Sequence, residues 1–340
     1  MKTTKRMLLG LALFLVLTSM AWVRINLMQP ALIVFQPHIK KMAIIDRTLQ
    51  KNDNKTKAEK VLTAEMLKQD EQALKRAIEG IVETCSPFNL YGMQPTTERF
   101  IGGGTKTSFP PALSWDEVSR LCNKYGSDAL LSIEIFDTDF LVTNAVDVVA
   151  QVASGKPGYQ VNGVAILNFG LRVYDPKTKT VADEYQISHR MNYDAGGASV
   201  RDAVNMVLEK VETMNRVAYE SGSFYGERIS PTYYSVTREF YNKPKKNNDL
   251  RIGVRKSMVA DWTGAIESWK KALNAKPKVA RRAAFNIAVA YEVLGDLQQA
   301  KEWARKAYVE YEEKRANEYY NILVDRIRQE EIIKRQVPNN

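Results

Sequence analysis

The feature that most constrains this chain is a pattern of small residues near its C-terminal end. It recurs at a spacing of 35 residues, as between Ala265 and Ala300. In the downstream copy Ile287, Ala288, Tyr291, Leu294, Gly295, Asp296, Ala300, Ala304 and Ala307 carry it. In the upstream copy Ile252, Gly253, Asp261, Trp262, Ala265, Trp269, Ala272, Leu273 and Pro277 take the equivalent places. Repeats of about this period are often pairs of helices, with small residues where they touch and a turn between them. Gly253 lets one helix approach its neighbour, Ala265 and Ala300 sit at the crossings, and Pro277 ends the upstream pair. The upstream turn departs from the pattern, because Ala260 stands where the downstream copy has Gly295. Two copies cannot bury their own ends, so a helix over 315–334 is expected to cap them.

Upstream the periodicity changes. A chain of 340 residues has room for two domains, and 45% hydrophobic with 26% charged residues is globular rather than disordered. Short apolar runs predict strands over 30–35 and 41–46. A polar loop over 51–60 leads into an amphipathic helix over 63–84, with Leu67, Ala73, Leu74, Ala77, Ile78, Ile81 and Val82 on one stripe. A strand is expected to begin over 88–91. Ser114 can cap a helix over 115–125, with Glu117 placed for a capping box and Gly126 as the stop. Residues 129–140 alternate: Leu131, Ile133 and Ile135 face one way, Ser132, Glu134 and Phe136 the other. Further strands are expected over 146–152, 163–175 and 180–190, broken by Gly196 and Gly197. A second amphipathic helix is expected over 199–219, then a loop over 221–231 and a bridging stretch with Tyr233, Tyr234, Phe240 and Tyr241. The expected architecture is a mixed-sheet α/β front domain over 30–220, a bridge and linker over 221–248, and an α-helical repeat tail over 249–335.

The N-terminal end sets the expected compartment. Lys2, Lys5 and Arg6 precede an uncharged run over 7–23, the layout of a secretory signal. Residues 1–23 are read as a signal peptide cleaved after Ala21 or as a retained anchor, so the bulk is exported to the periplasm or cell envelope, with membrane association through the N-terminus. No cysteine follows the run, so lipidation is not supported. Cys85 and Cys122 could pair in an exported protein; two buried free thiols are the preferred reading. The net charge of +10 permits contact with an anionic surface. No aromatic–basic signature of an RNA-binding sheet accompanies it, so a solvated lysine-rich surface is preferred and nucleic acid is not expected.

Chemistry-bearing constellations are few. Gly102, Gly103 and Gly104 lack the spacing of a phosphate loop. Glu134, Asp137 and Asp139 cluster on a strand end, where a metal or an acid–base pair would be conceivable. Two histidines, His38 and His189, give no nucleophile–His–Asp arrangement. No catalytic residue, metal site or cofactor is expected.

The recurring pattern, including the stretch AAFNIAVAYEVLGDLQQAKEWARKAY, resembles tetratricopeptide repeats. The resemblance implies a concave face that binds a protein or peptide. Asn286 falls where many peptide-binding members bond a ligand's backbone, and Arg251 holds the matching place upstream. Arg282, Val289 and Glu292 share that face. More widely, KKMAIIDR, SDALLSIEIFDTD, FGLRVYDPKTK, ISPTYYSVTREFY and DWTGAIESW resemble a family of Bacteroidota cell-envelope proteins of unknown function, many of them predicted lipoproteins. It supplies no catalytic residues. The expected function is a non-enzymatic envelope adaptor or scaffold that holds a partner through its repeats. The rivals are a metal-dependent enzyme using the acidic strand end and a membrane-anchored structural scaffold without a peptide groove.

Overall fold

The computed structural model describes residues 20–49, 57–102, 107–142, 159–197, 200–243 and 245–337. They form a mixed α/β region around a mixed sheet, followed by a C-terminal run of helices. This is the expected fold class. The chain divides into two compact units: Ala31–Pro231, and the described residues before Ala31 together with those after Pro231.

The unit Ala31–Pro231 holds β2 (Lys41–Leu49), α1 (Lys57–Cys85), β3 (Gly92–Ile101), α2 (Trp115–Tyr125), β4 (Ala129–Val142), β5 (Tyr159–Asp175), β6 (Thr180–Gly197) and α3 (Val200–Ile229). The sheet order is β3-β2-β4-β5-β6. The helical crossovers α1 and α2 make β2 parallel to β3 and β4, while β4, β5 and β6 run antiparallel. Ile44, Leu131 and Ile133 pack with α1 and α3 on one face; Ala43, Ile45 and Leu130 pack with α2 on the other. Burial on both faces explains the near-continuous apolar runs. Ser114 caps α2 by accepting from the Glu117 amide at 3.3 Å, and Gly126 ends it at φ 61°. Cys85 and Cys122 are free and buried in the two different cores.

The structure departs from the sequence reading in several places. Residues 30–35 form no strand. The strand lies earlier, at β1 (Met20–Gln29), so a cut after Ala21 would fall inside it. Residues 88–91 are turn, and β3 begins at Gly92. Alternation along β4 slips at an irregularity between Ile133 and Ile135, which turns Phe136 to the α1/α3 core with Leu131 and Ile133. Gly196 and Gly197 lie within β6. The expected loop over 221–231 is largely helix, because α3 runs to Ile229. Glycine there permits close packing rather than a break. A Cβ on Gly222 would sit 1.9 Å from the Ala77 carbonyl oxygen. The expected strand over 146–152 lies outside the described residues.

The second unit joins β1 and β7 (Thr232–Tyr241) to α4 (Asn248–Met258), α5 (Trp262–Ala272), α6 (Pro277–Val293), α7 (Leu297–Val309) and α8 (Arg315–Gln336). The bridging stretch is thus the strand β7, paired antiparallel with β1 from Met20↔Tyr241 to Gln29↔Thr232. Consecutive helices pack as neighbours. Ala265, Ala300, Ala304 and Ala307 are fully buried, and a Cβ on Gly253 would sit 2.3 Å from the Trp269 indole nitrogen. Ala260 adopts φ 62° at the α4–α5 turn, matching Gly295 at φ 82°. Among the described residues no helix is long and apolar enough to cross a membrane.

Candidate functional site: a clamp on strand β7

Four of the five expected partner-binding residues meet on one face, and that face is covered by the chain's own strand. Spacing along α6 brings Arg282, Asn286, Val289 and Glu292 to it. Asn286, fully buried, donates through Nδ2 to the Tyr241 carbonyl at 2.8 Å and accepts the Tyr241 amide at 2.7 Å. Arg282 donates to the Lys243 carbonyl at 3.0 Å, with its guanidinium 4.8 Å from the centre of the Tyr241 ring. Val289 is buried in the helical core. Arg251 stands apart, exposed and bonded to Asn248 at 2.6 Å. Arg282, Asn286 and Glu292 thus hold Arg238, Tyr241 and Lys243.

Glu292 anchors the clamp. Arg238 of β7 reaches its two oxygens at 2.9 and 3.1 Å, Arg326 of α8 donates at 2.5 Å, and the Tyr319 hydroxyl bonds it as well. Burial pushes the Glu292 carboxyl up, but Arg238, Tyr319 and Arg326 outweigh burial and hold it below the usual carboxylate range. Tyr319 moves well above its ordinary value, first through burial and then through the adjacent charge of Glu292. Arg238 of β7 and Arg326 of α8 both pair with this buried carboxylate, so Glu292 joins the strand to the last helix. Tyr241 also donates to Glu313 at 3.1 Å, and Phe240 lies edge-on to Trp262 at 5.8 Å. That one face of β7 packs on the helices, with Phe240 buried, was legible only as an aromatic stretch; nothing in its spacing assigned it to α6.

At the acidic strand end, Glu134 is held in a network of two arginines and a tyrosine. Glu134 accepts from Arg47 at 3.1 Å, Arg172 at 2.8 Å and Tyr174 at 2.7 Å. Arg47 and Arg172 also donate to the Pro111 and Pro110 carbonyls. Glu134 therefore fastens the proline loop to the sheet. Burial, and then the neighbouring Glu134, pushes the Tyr174 hydroxyl up to about 12. Asp137 faces Asn168 at 3.5 Å, and Asp139 is exposed. Among the described residues no group of three His, Cys, Asp or Glu is arranged to hold a metal ion.

Two arrangements were not legible in sequence. His189 Nδ1 lies 3.1 Å from Ser221 Oγ, and Nε2 lies 3.6 Å from Glu220. Ser221 is fully buried and donates its proton to the Val217 carbonyl of its own helix at 2.8 Å, so its contact with His189 ties α3 to β6. A cleft of about 490 Å³ opens between α1 and β3, with Leu74, Ile78 and Val82 as its apolar lining.

A mixed sheet with helices on both faces, continued by a helical array, defines the class of chain. It belongs to the family Domain of unknown function (DUF8603), whose profile matches residues 39–241. Residues 252–325 match a second family, Domain of unknown function (DUF6340). Comparison with curated proteins finds no match. Among solved structures the chain is similar to the PelC dodecamer from Paraburkholderia phytofirmans, at 10% identity over 62% of this chain and 99% of that one, with a TM-score of 0.25. A single-substitution variant of that protein gives 10% identity, 59% and 96% coverage and a TM-score of 0.23. Neither likeness is close enough to carry an argument about this chain.

Proposed function

We propose that this protein is a non-enzymatic scaffold of the cell envelope, in which tetratricopeptide-type helices clamp the chain's own strand β7. The observation that supports the reading is the pair of hydrogen bonds between the Asn286 side chain and the Tyr241 backbone, one donated and one accepted, together with Arg282 on Lys243 and Arg238 on Glu292. Residues suited to hold an extended partner hold a segment in cis. A partner would then contact surfaces that the clamp leaves exposed. The envelope location rests on the basic and apolar N-terminal segment. A metal-dependent reaction at Glu134 has less support, because both of its oxygens are engaged by guanidiniums. The groove-binding adaptor remains as a second reading. Asn286 reads backbone rather than side chains, so an incoming strand could take the place of β7.

One double variant separates the two. Asn286→Ala with Arg282→Ala removes three hydrogen bonds to part-buried backbone groups, at about 0.5–1.5 kcal/mol for each. The scaffold reading expects a lower unfolding midpoint and faster proteolysis across residues 242–247. Partners crosslinked in the native envelope should be recovered in unchanged amounts per folded molecule. A variant that unfolds like the wild type yet loses its partners would reverse the order of the two readings.

A further inference from the structure

The two ends of the five-stranded sheet are treated differently. An end strand exposes unpaired amides and carbonyls, and proteins blunt such edges with proline, charge and irregular pairing. β3 carries those devices: Pro95 lies within it, its pairing with β2 slips twice, and Glu98 bonds Lys124. β6 carries few of them. Its sequence TVADEYQISHRMNYDAGG has neither proline nor lysine, and it pairs with β5 in unbroken register from Asp183 to Gly197. Among the described residues no backbone hydrogen bond satisfies its outer edge.

We infer that β6 is an association edge that pairs antiparallel with β6 of a second copy of this chain, about a two-fold axis through Ile187. This inference goes beyond the scaffold reading and does not depend on it. Chemistry on the strand selects both the partner and the register. Residues opposed in an antiparallel pair point to the same side of the sheet, so the axis must pass through a residue. Placed at Ile187, it sets Glu184 opposite Arg190 of the second copy, and Arg190 opposite its Glu184. Both side chains lie on the exposed face. Glu184 offers one carboxylate oxygen to Arg172 at 2.5 Å and stays half exposed, which leaves the other for the second copy. On the opposite face Tyr185, Ile187 and Met191 are apolar and only partly buried. The same register sets Tyr185 against His189 and Ile187 against itself, and so completes their burial. A two-fold pairing of this kind is closed and adds no further edge.

The test uses the purified full chain in analytical ultracentrifugation over a range of concentrations. The wild type should dimerise. Arg190→Glu opposes two carboxylates twice and should weaken the dimer at least tenfold, with an unchanged circular dichroism spectrum. Glu184→Arg combined with Arg190→Glu restores opposite charges and should recover the dimer. A second readout does not depend on charge. Directly opposed residues have Cα atoms about 4.5–5.5 Å apart, within the roughly 4.4–6.8 Å that a disulfide spans. Ile187→Cys should therefore give a covalent dimer with an added oxidant, and Ser188→Cys should not. Cys85 and Cys122 are buried and do not compete. A wild type that stays monomeric, an Arg190→Glu variant that dimerises as well as wild type, a charge swap that fails to rescue, or equal crosslinking at 187 and 188 would each overturn the inference.

Discussion

Replacing Gly222 with alanine tests the contact that holds α1 against α3. The added Cβ would stand 1.9 Å from the Ala77 carbonyl oxygen, 2.7 Å from its carbon and 3.1 Å from its Cα. These are backbone atoms in a helix, so no rotamer change can relieve the clash. Ordinary contact begins near 3.4 Å, so the axes must part locally by about 1.5 Å. Gly80 opposes the same interface, since its own Cβ would lie 2.2 Å from the Tyr219 carbonyl oxygen. Parting the helices also loosens Ala73, Ala77, Ala218 and Tyr225, all buried in that core. Overpacking of this kind costs about 1–3 kcal/mol, and rigid backbone on both sides places Gly222→Ala at the upper end. For a domain of this size, 3 kcal/mol corresponds to roughly 6–12 °C in Tm. Gly92→Ala is the control, because its nearest contact is a Lys41 side-chain carbon at 3.5 Å. Scanning calorimetry on both variants decides the matter. If Gly222→Ala melts with the control, residues 221–229 do not pack as a helix against α1.

Two further outcomes are expected. Ala260→Gly should raise stability by about 1 kcal/mol, since Ala260 holds φ 62° where glycine carries no Cβ penalty; a lower denaturation midpoint would contradict this. Glu292 is held below its ordinary value, so its contribution is fully present above the unfolded carboxyl value of about 4.3 and is lost as pH falls through the folded value. Glu292→Gln should cost on the order of 3 kcal/mol at neutral pH and flatten the loss of stability on acidification. Denaturant midpoints that fall in parallel for both proteins below pH 4.3 would refute it.

The candidate site was half legible. Helical spacing placed Arg282, Asn286, Val289 and Glu292 on one face, because a period near 3.6 fixes which side chains neighbour one another. It could not say what lies on that face. Tyr241 and Arg238 reach it from a strand whose position depends on pairing with β1, over two hundred residues away. Polar residues that read as available for a partner are instead saturated by backbone and by guanidiniums. The surroundings of Glu134 were not legible for the same reason: its neighbours Arg47 and Arg172 come from other strands.

By itself the sequence determined what local physics can fix. Apolar runs made β2 and β4, a serine and a glycine bounded α2, and a 35-residue period set Ala265 and Ala300 at helix crossings. These depend on contacts a few residues apart or on repeated spacing. Tertiary structure decided the rest. Residues 221–231 read as a loop, yet Gly222 lies within α3 at a close approach to α1, which no local window shows. Residues 20–23 read as the end of an apolar leader over 7–23 and lie in the strand Met20–Gln29, whose partner is far along the chain. Strand pairing and helix contact join residues distant in sequence, and no local window contains both partners.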